Sequence, residues 1–297
     1  MGTLRASRAR PRRGPGPRSA TAGPQALGSG TPGPQGRLQR LEQKYLLDEP
    51  TLSRIRRDLE LYCEPDAHSS RRPDREGAGP LGYEIHSLYL DSPNLAFHRA
   101  KMRGDPERLK LRVRCYSATS PVFLELKRKI SDVVDKVRVE VDRKHVEEAA
   151  AGLAAPVEDS LQARRAVGEF SRIVAESGAG PTLHVRYQRE AYASVVDDYA
   201  RVCFDRRIAA QPTESWDLEP DPEGWAEFDH FWQPELAQRS VVLEIKCQSV
   251  IPPWLSDLVR RYSLVRTSFS KYSTGIHLAR RMHGDRRRGS RDAKVMR

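Results

Sequence analysis

Three segments far apart in the chain place a glutamate two residues before a lysine: Glu42-Gln43-Lys44, Glu125-Leu126-Lys127 and Glu244-Ile245-Lys246. Between the first and last of these, Lys110-Leu111-Arg112-Val113-Arg114 and Lys136-Val137-Arg138-Val139-Glu140 alternate charged with apolar residues. In an extended chain successive side chains point to opposite faces, so all the charges of each segment share one face. Several such faces brought together would line a polyanion site. Arginine offers a planar fork for bidentate phosphate contacts and lysine a compact point charge. The glutamates either balance those cations or hold a hard divalent ion.

An antiparallel sheet with one solvated face also alternates in this way, and for any single strand that is the simpler reading. The group as a whole resists it. Its charges are mainly Arg, Lys and Glu, with hardly any Ser, Thr or Asn, and they recur in at least four expected strands. One arrangement satisfies them all: a barrel turned inside out, with apolar side chains packed outward against helices and charged ones inward around a ligand.

The elements that must position these residues follow from periodicity. After a strand at 42–47, Leu52, Ile55, Leu59 and Tyr62 recur at helical spacing from Pro50. A loop is expected over 64–82, then a strand at 83–90 and a short helix opened by Ser92-Pro93. Three strands at about 108–116, 122–129 and 134–142 read as a meander, and Ala-rich 143–177 as two helices. A long strand at 183–196 turns through Asp197-Asp198 into another at 201–208. An irregular insertion at 209–240 should pack Trp216, Trp225, Phe228, Phe231 and Trp232 against the barrel. A strand at 241–247, a helix opened by Pro252-Pro253-Trp254 and a last helix at 269–281 complete roughly eight strands, enough for one domain.

Composition excludes several function classes. The chain has 297 residues and a net charge of +11, but residues 1–40 hold eight Arg without an acidic residue and residues 280–297 hold eight Lys or Arg against two Asp. The segment between them is left near −3. The basic balance thus belongs to the two ends, and nucleic acid is expected as a partner only through them. Residues 1–37, rich in Gly, Pro, Arg and Ser, are expected to be a disordered basic tail, residues 282–297 a second basic tail, and residues 38–281 the domain. No apolar leader and no run long enough to span a membrane is present, which points to the cytoplasm. The four cysteines are widely spaced, with no Cys-x-x-Cys, so neither a zinc site nor a disulfide framework is expected. Walker, Rossmann and nucleophile-elbow signatures are missing.

Eight short motifs then fall in one order: Glu-Gln-Lys-Tyr at 42–45, Ser-Leu-Tyr-Leu-Asp-Ser at 87–92, Leu-Lys-Leu-Arg-Val-Arg at 109–114, Phe-Leu-Glu-Leu-Lys-Arg-Lys at 123–129, Tyr-Gln-Arg at 187–189, Arg-Val-Cys-Phe-Asp at 201–205, Leu-Glu-Ile-Lys at 243–246 and Ser-Phe-Ser-Lys-Tyr at 268–272. In this series the chain resembles the vacuolar transporter chaperone (VTC) family, a polyphosphate polymerase domain of the triphosphate tunnel superfamily. The resemblance implies an α+β fold: an eight-stranded antiparallel β-barrel tunnel with a charged lumen, packed outside by helices. It implies phosphate ligands at Lys44, Arg112, Arg114, Lys127, Lys136, Arg189, Arg201 and Lys271, and a divalent metal, Mn²⁺ or Mg²⁺, at Glu244. Alternation from His184 puts Arg186 and Arg189 on opposite faces unless a bulge intervenes; the motif selects Arg189.

The implied substrates are ATP and inorganic polyphosphate, the chain growing by transfer of the γ-phosphate. A tripolyphosphatase or nucleoside triphosphatase on the same fold, and a non-catalytic polyphosphate or nucleic-acid binding module, remain as alternatives. The family's phosphate-sensing helical domain and membrane spans have no counterpart in this sequence. Regulation and export are therefore expected of other chains, including a membrane-protein partner to which this domain would be peripheral.

Overall fold

The structure, a computed structural model, describes residues 41–69, 82–131, 133–197, 199–228, 240–248 and 250–281. The tails expected at 1–37 and 282–297, and Phe231 and Trp232, lie outside the described residues. In chain order the strands are β1 (Leu41–Leu47), β2 (Cys63–Pro65), β3 (Tyr83–Asp91), β4 (Glu107–Cys115), β5 (Val122–Ile130), β6 (Val133–Val141), β7 (Gly180–Ser194), β8 (Ala200–Pro212), β9 (Ala226–Glu227) and β10 (Val241–Cys247). The helices are α1 (Glu49–Leu59), α2 (Ala96–Arg103), α3 (Val146–Ala150), α4 (Leu161–Ser177) and α5 (Pro253–Arg261), with α6 over 271–281.

All ten strands join one antiparallel sheet in the order β1-β10-β8-β7-β3-β4-β5-β6, with β2 beside β7 and β9 beside β8. The expected closed eight-stranded barrel is corrected here: β1 and β6 end the path without hydrogen-bonding to each other. The reason lies in what takes up their outer edges. Tyr45 bridges to Arg266 and Lys44 O accepts from Thr267 N at 2.8 Å, so the segment before α6 covers β1. On β6, Val141 bridges to Pro156 and Glu140 O accepts from Val157 N at 3.0 Å. The sheet nevertheless curls, because side chains meet across its concave side.

Alternation divides the apolar residues as an inside-out sheet requires. On the convex face Leu88, Leu90, Leu111, Val113, Leu124 and Leu126 pack with Val146, Ala149, Val167, Phe170 and Ile173 of α3 and α4. Farther along, Val202, Phe204, Leu243 and Ile245 pack with Leu52, Ile55 and Leu59 of α1 and Leu255 and Leu258 of α5. Helix α1 starts where Asp48 accepts from Thr51 N at 2.8 Å, satisfying one of its orphan donors.

Helix α6 does the opposite and enters the concave side. Its Tyr272 and Ile276 pack with Ile85, Tyr89, Leu183, Val185 and Tyr187, all of one parity along β3 and β7. Gly275 permits the approach: a Cβ there would stand 2.6 Å from Leu183 Cδ2 and 3.0 Å from Ala210 Cβ. Asp91 at the end of β3 fixes two helices at once. It accepts from Phe97 N and His98 N of α2, each at 2.9 Å, and from Tyr272 Oη of α6 at 2.7 Å.

Candidate functional site: a cation-lined concave face

Register carries one face through eight strands. Glu42 and Lys44 of β1 stand opposite Lys246 and Glu244 of β10; these in turn stand opposite Arg201 and Cys203 of β8. Asp205 of β8 faces Arg189 of β7, which faces Tyr83 of β3. Ser87 and Tyr89 of β3 face Arg114 and Arg112 of β4. Arg112 and Lys110 face Glu125 and Lys127 of β5, which face Arg138 and Lys136 of β6.

The bulge that the two arginines of β7 called into question exists, but on the neighbouring strand. Gln188 pairs with Arg206 and Arg186 with Ala209, so β8 carries an extra residue, and Arg207 adopts φ 49° there. Strand β7 therefore keeps its alternation. Arg189 faces the concave side, while Arg186 faces away, its guanidinium 4.4 Å from the centre of the Trp225 ring. The shift of parity in β8 lets Asp205 and Ala210 share the concave face although their numbers differ by an odd count.

Two carboxylate-centred clusters occupy this face. The first surrounds Asp205, which is fully buried. Arg189 donates Nε and Nη2 to its two oxygens at 2.7 and 2.8 Å, and Lys271 Nζ donates at 2.5 Å. Arg189 Nη2 also reaches Glu244 Oε2 at 3.3 Å, whose other oxygen lies 2.6 Å from Lys246 Nζ. Burial pushes the Glu244 carboxyl upward, but Lys246, Lys44, Arg189 and Lys271 outweigh it and hold the group well below the usual carboxylate range. Asp205 is likewise raised by burial and brought below its usual range by Arg189 and Lys271.

The second cluster surrounds Glu125, 2% exposed. Arg112 donates Nε to it at 2.6 Å, Lys136 Nζ lies at 3.2 Å, Arg138 at 3.6 Å and Arg114 at 3.8 Å. Burial would raise Glu125; the four cations bring it well below the ordinary value. Burial pushes Lys136 down, Glu125 draws it back, and Arg112 and Arg114 press it down again, leaving it at about 8. Tyr89 Oη accepts from Arg112 at 3.3 Å and Tyr187 Oη from Arg114 at 3.5 Å.

Glu42 links the clusters across the open ends of the sheet. It pairs with Lys44 at 3.0 Å and with Lys127 at 3.3 Å. Burial and Glu244 raise its carboxyl, yet Lys44, Lys127 and Lys246 leave it at about 2. Lys44 also donates to Phe269 O at 3.5 Å.

Of the residues singled out from sequence, Lys44, Arg189, Lys271 and Glu244 meet in and around the first cluster, and Arg112, Arg114 and Lys136 in the second, with Lys127 between. Arg201 shares the face by register but is exposed, its guanidinium 6.0 Å from the Tyr199 ring. Sequence reasoning placed Lys246 and Lys110 on charged strand faces without carrying them into the ligand set, and it did not single out Asp205. Each had a signal, since each alternates in phase with a residue already singled out, namely Glu244, Arg112 and Arg201. Of the aromatics expected to pack against the barrel, Phe228 is buried and Trp216 packs beside the α4 core.

No helix among the described residues is long and apolar enough to cross a membrane. No curated protein matches the chain. Among solved structures it is similar to an adenylyl-cyclase-like protein from Hippeastrum with a dominant triphosphatase activity, at 15% identity and a TM-score of 0.44, over 80% of this chain and 95% of that one. It is also similar to an adenylate-cyclase-like protein from Bacillus halodurans, at 11% identity and a TM-score of 0.41, over 78% and 96% of the two chains. A protein from Pyrococcus horikoshii aligns at 15% identity and a TM-score of 0.39, over 82% and 98%. The VTC domain profile matches residues 39–280, the whole span of the register-linked face, and the chain belongs to the VTC domain family.

Proposed function

We propose that this chain is a polyphosphate polymerase that transfers the γ-phosphate of ATP to a growing inorganic polyphosphate. The observation that carries the reading is the concave face itself, where Lys and Arg from β1, β4, β5, β6, β7, β10 and α6 converge on carboxylates they already neutralise. A phosphate chain carries about one charge per residue, and enclosing it strips water from many oxygens at once. Cations held in place by Glu125, Asp205, Glu244 and Glu42 replace that hydration without having to be gathered as the substrate arrives.

The step is attack by an ionised terminal phosphate oxygen of the acceptor chain on the γ-phosphorus of ATP. The bond to the β,γ-bridging oxygen breaks, ADP leaves, and the chain is longer by one. Phosphoryl transfer of this kind depends on positioning and charge neutralisation. The attacking oxygen carries no proton, so no protein base is needed. Hydrolysis would benefit from a base to orient and deprotonate water, yet Glu42, Glu125, Asp205 and Glu244 are all held below the usual carboxylate range. Strongly paired carboxylates are weak bases, and the transfer reading asks nothing of them as bases.

Glu244, an ionised carboxylate on the concave face, is the residue that would hold a divalent ion, in exchange for its pairs with Arg189 and Lys246. Among the described residues no group of three or more His, Cys, Asp or Glu is placed to hold an ion. An ion here would complete its shell with phosphate oxygens and water, as Mg²⁺ and Mn²⁺ do with one or two carboxylates. When bound, it supplies further neutralisation of the transferring phosphoryl group.

The test is to incubate the purified chain with ATP and Mn²⁺ and resolve the products on a gel. Chains longer than triphosphate are expected. Orthophosphate without chain growth would move the assignment to a triphosphatase, and unchanged ATP to a binding module.

A further inference from the structure

Most cations of the concave face have a carboxylate within ion-pair distance, as the two clusters show. Lys110 does not. Its Nζ donates to Ser270 Oγ at 3.4 Å, and among the described residues no carboxylate forms an ion pair with it. Register places it directly opposite Lys127, which is directly opposite Lys136, so three lysines cross β4, β5 and β6 in one row. The next row, Arg112, Glu125 and Arg138, alternates in sign. Like charges directly opposite one another are destabilising. A row of three is tolerable only if an anion is shared or a proton is missing.

The groups facing Lys110 explain which applies in the empty site. Lys44 and Glu42 reach it from β1, Lys127 from β5 and Arg112 along its own strand, while Lys271 beyond Ser270 is held by Asp205. Burial, then Lys44, Lys127 and Arg112, push Lys110 well below the ordinary lysine range, with Glu42 alone opposing them. Its ammonium form is therefore disfavoured until negative charge arrives.

We infer that Lys110 is a further phosphate-binding residue of this face, an amine that takes a proton from solvent as a phosphate oxygen comes within hydrogen-bonding distance of its Nζ. The inference rests on the reading of the face as a phosphate-chain site. It makes chain binding a proton-consuming event, with affinity falling as pH rises.

Titration calorimetry of the full chain with inorganic tripolyphosphate, in two buffers of different ionisation enthalpy at mildly alkaline pH, counts the protons taken up. Wild type and K136R should both take up protons; K110R should bind with near wild-type affinity and lose the Lys110 share. K110M should bind about tenfold more weakly, the loss of one charge-assisted contact. Its melting temperature without ligand should be no lower than that of wild type, because the amine it replaces gains nothing from its charge there. A purely structural lysine would give the reverse. Equal affinity in K110M, or undiminished proton uptake in K110R, overturns the inference while leaving the phosphate site standing. Failure of wild type to bind tripolyphosphate overturns both.

Discussion

Asp205 and Glu244 show how a buried carboxylate can serve a site by holding cations in place. Arg189 spans both, and its removal would leave two buried acids short of a partner. Breaking a buried pair from one side typically costs about 3–5 kcal/mol, so Arg189→Met should lower unfolding stability by about that amount and also weaken tripolyphosphate binding. Arg201→Met is its contrast. Exposed and outside both clusters, it should change stability by no more than about 0.5 kcal/mol. Urea unfolding of the two variants decides the point, and equal losses would contradict the placement of Arg189 as the shared partner. Asp205 was hidden in the sequence for a simple reason: inside the strand expected at 201–208 a lone Asp in phase with Arg201 reads as an ordinary solvated residue, and only its register opposite Arg189 brings it into the site.

Among the elements, the strands were legible because their alternation is strict, and the helices because Leu52, Ile55 and Leu59, or Val167, Phe170 and Ile173, recur at helical spacing. What alternation cannot carry is which edges pair. The two-residue β9 and three-residue β2 are too short to have a period. Whether β1 meets β6 depends on Thr267 and Val157, residues outside any strand. Helix α6 was placed correctly along the chain, but that it sits on the charged side of the sheet follows from Gly275, whose missing side chain is the space it needs. Gly275→Ala should press Leu183 and Ala210, shift α6 and carry Lys271 away from Asp205. The expected result is a destabilisation of about 1–3 kcal/mol together with weaker tripolyphosphate binding, measured by thermal unfolding and calorimetry. Unchanged binding would mean that α6 does not position Lys271.

For the molecule as a whole, the paired carboxylates set the response to acid. Glu42, Glu125, Asp205 and Glu244 bind protons less readily folded than unfolded, so their contribution is full above the usual carboxylate range of about 4. It is lost as pH falls toward the Glu42 value of about 2. Protonating them also leaves the concave cations unopposed. Stability should therefore fall steeply in that interval, and tripolyphosphate should restore part of it by taking the place of the lost carboxylate charge. Circular dichroism melts at stepped pH, with and without the anion, test this; a flat profile down to about 2 would contradict it. Lys136, at about 8, acts in the same sense at higher pH: the unfolded chain holds its proton more readily than the folded one, so stability rises again as pH passes that point.

The two ends of the sheet, not hydrogen-bonded to each other, add a mechanical property. A ring closed by backbone hydrogen bonds resists widening through many directional contacts that dissolved salt barely affects. Here Lys127 and Glu42 meet across the gap at 3.3 Å with side chains 42% and 31% exposed, a latch of about 0–1 kcal/mol that ions screen. The bore thus has one compliant line along its wall, tightened in dilute buffer and slackened in brine. Any phosphate that draws Lys127 toward itself loosens the latch by the same act.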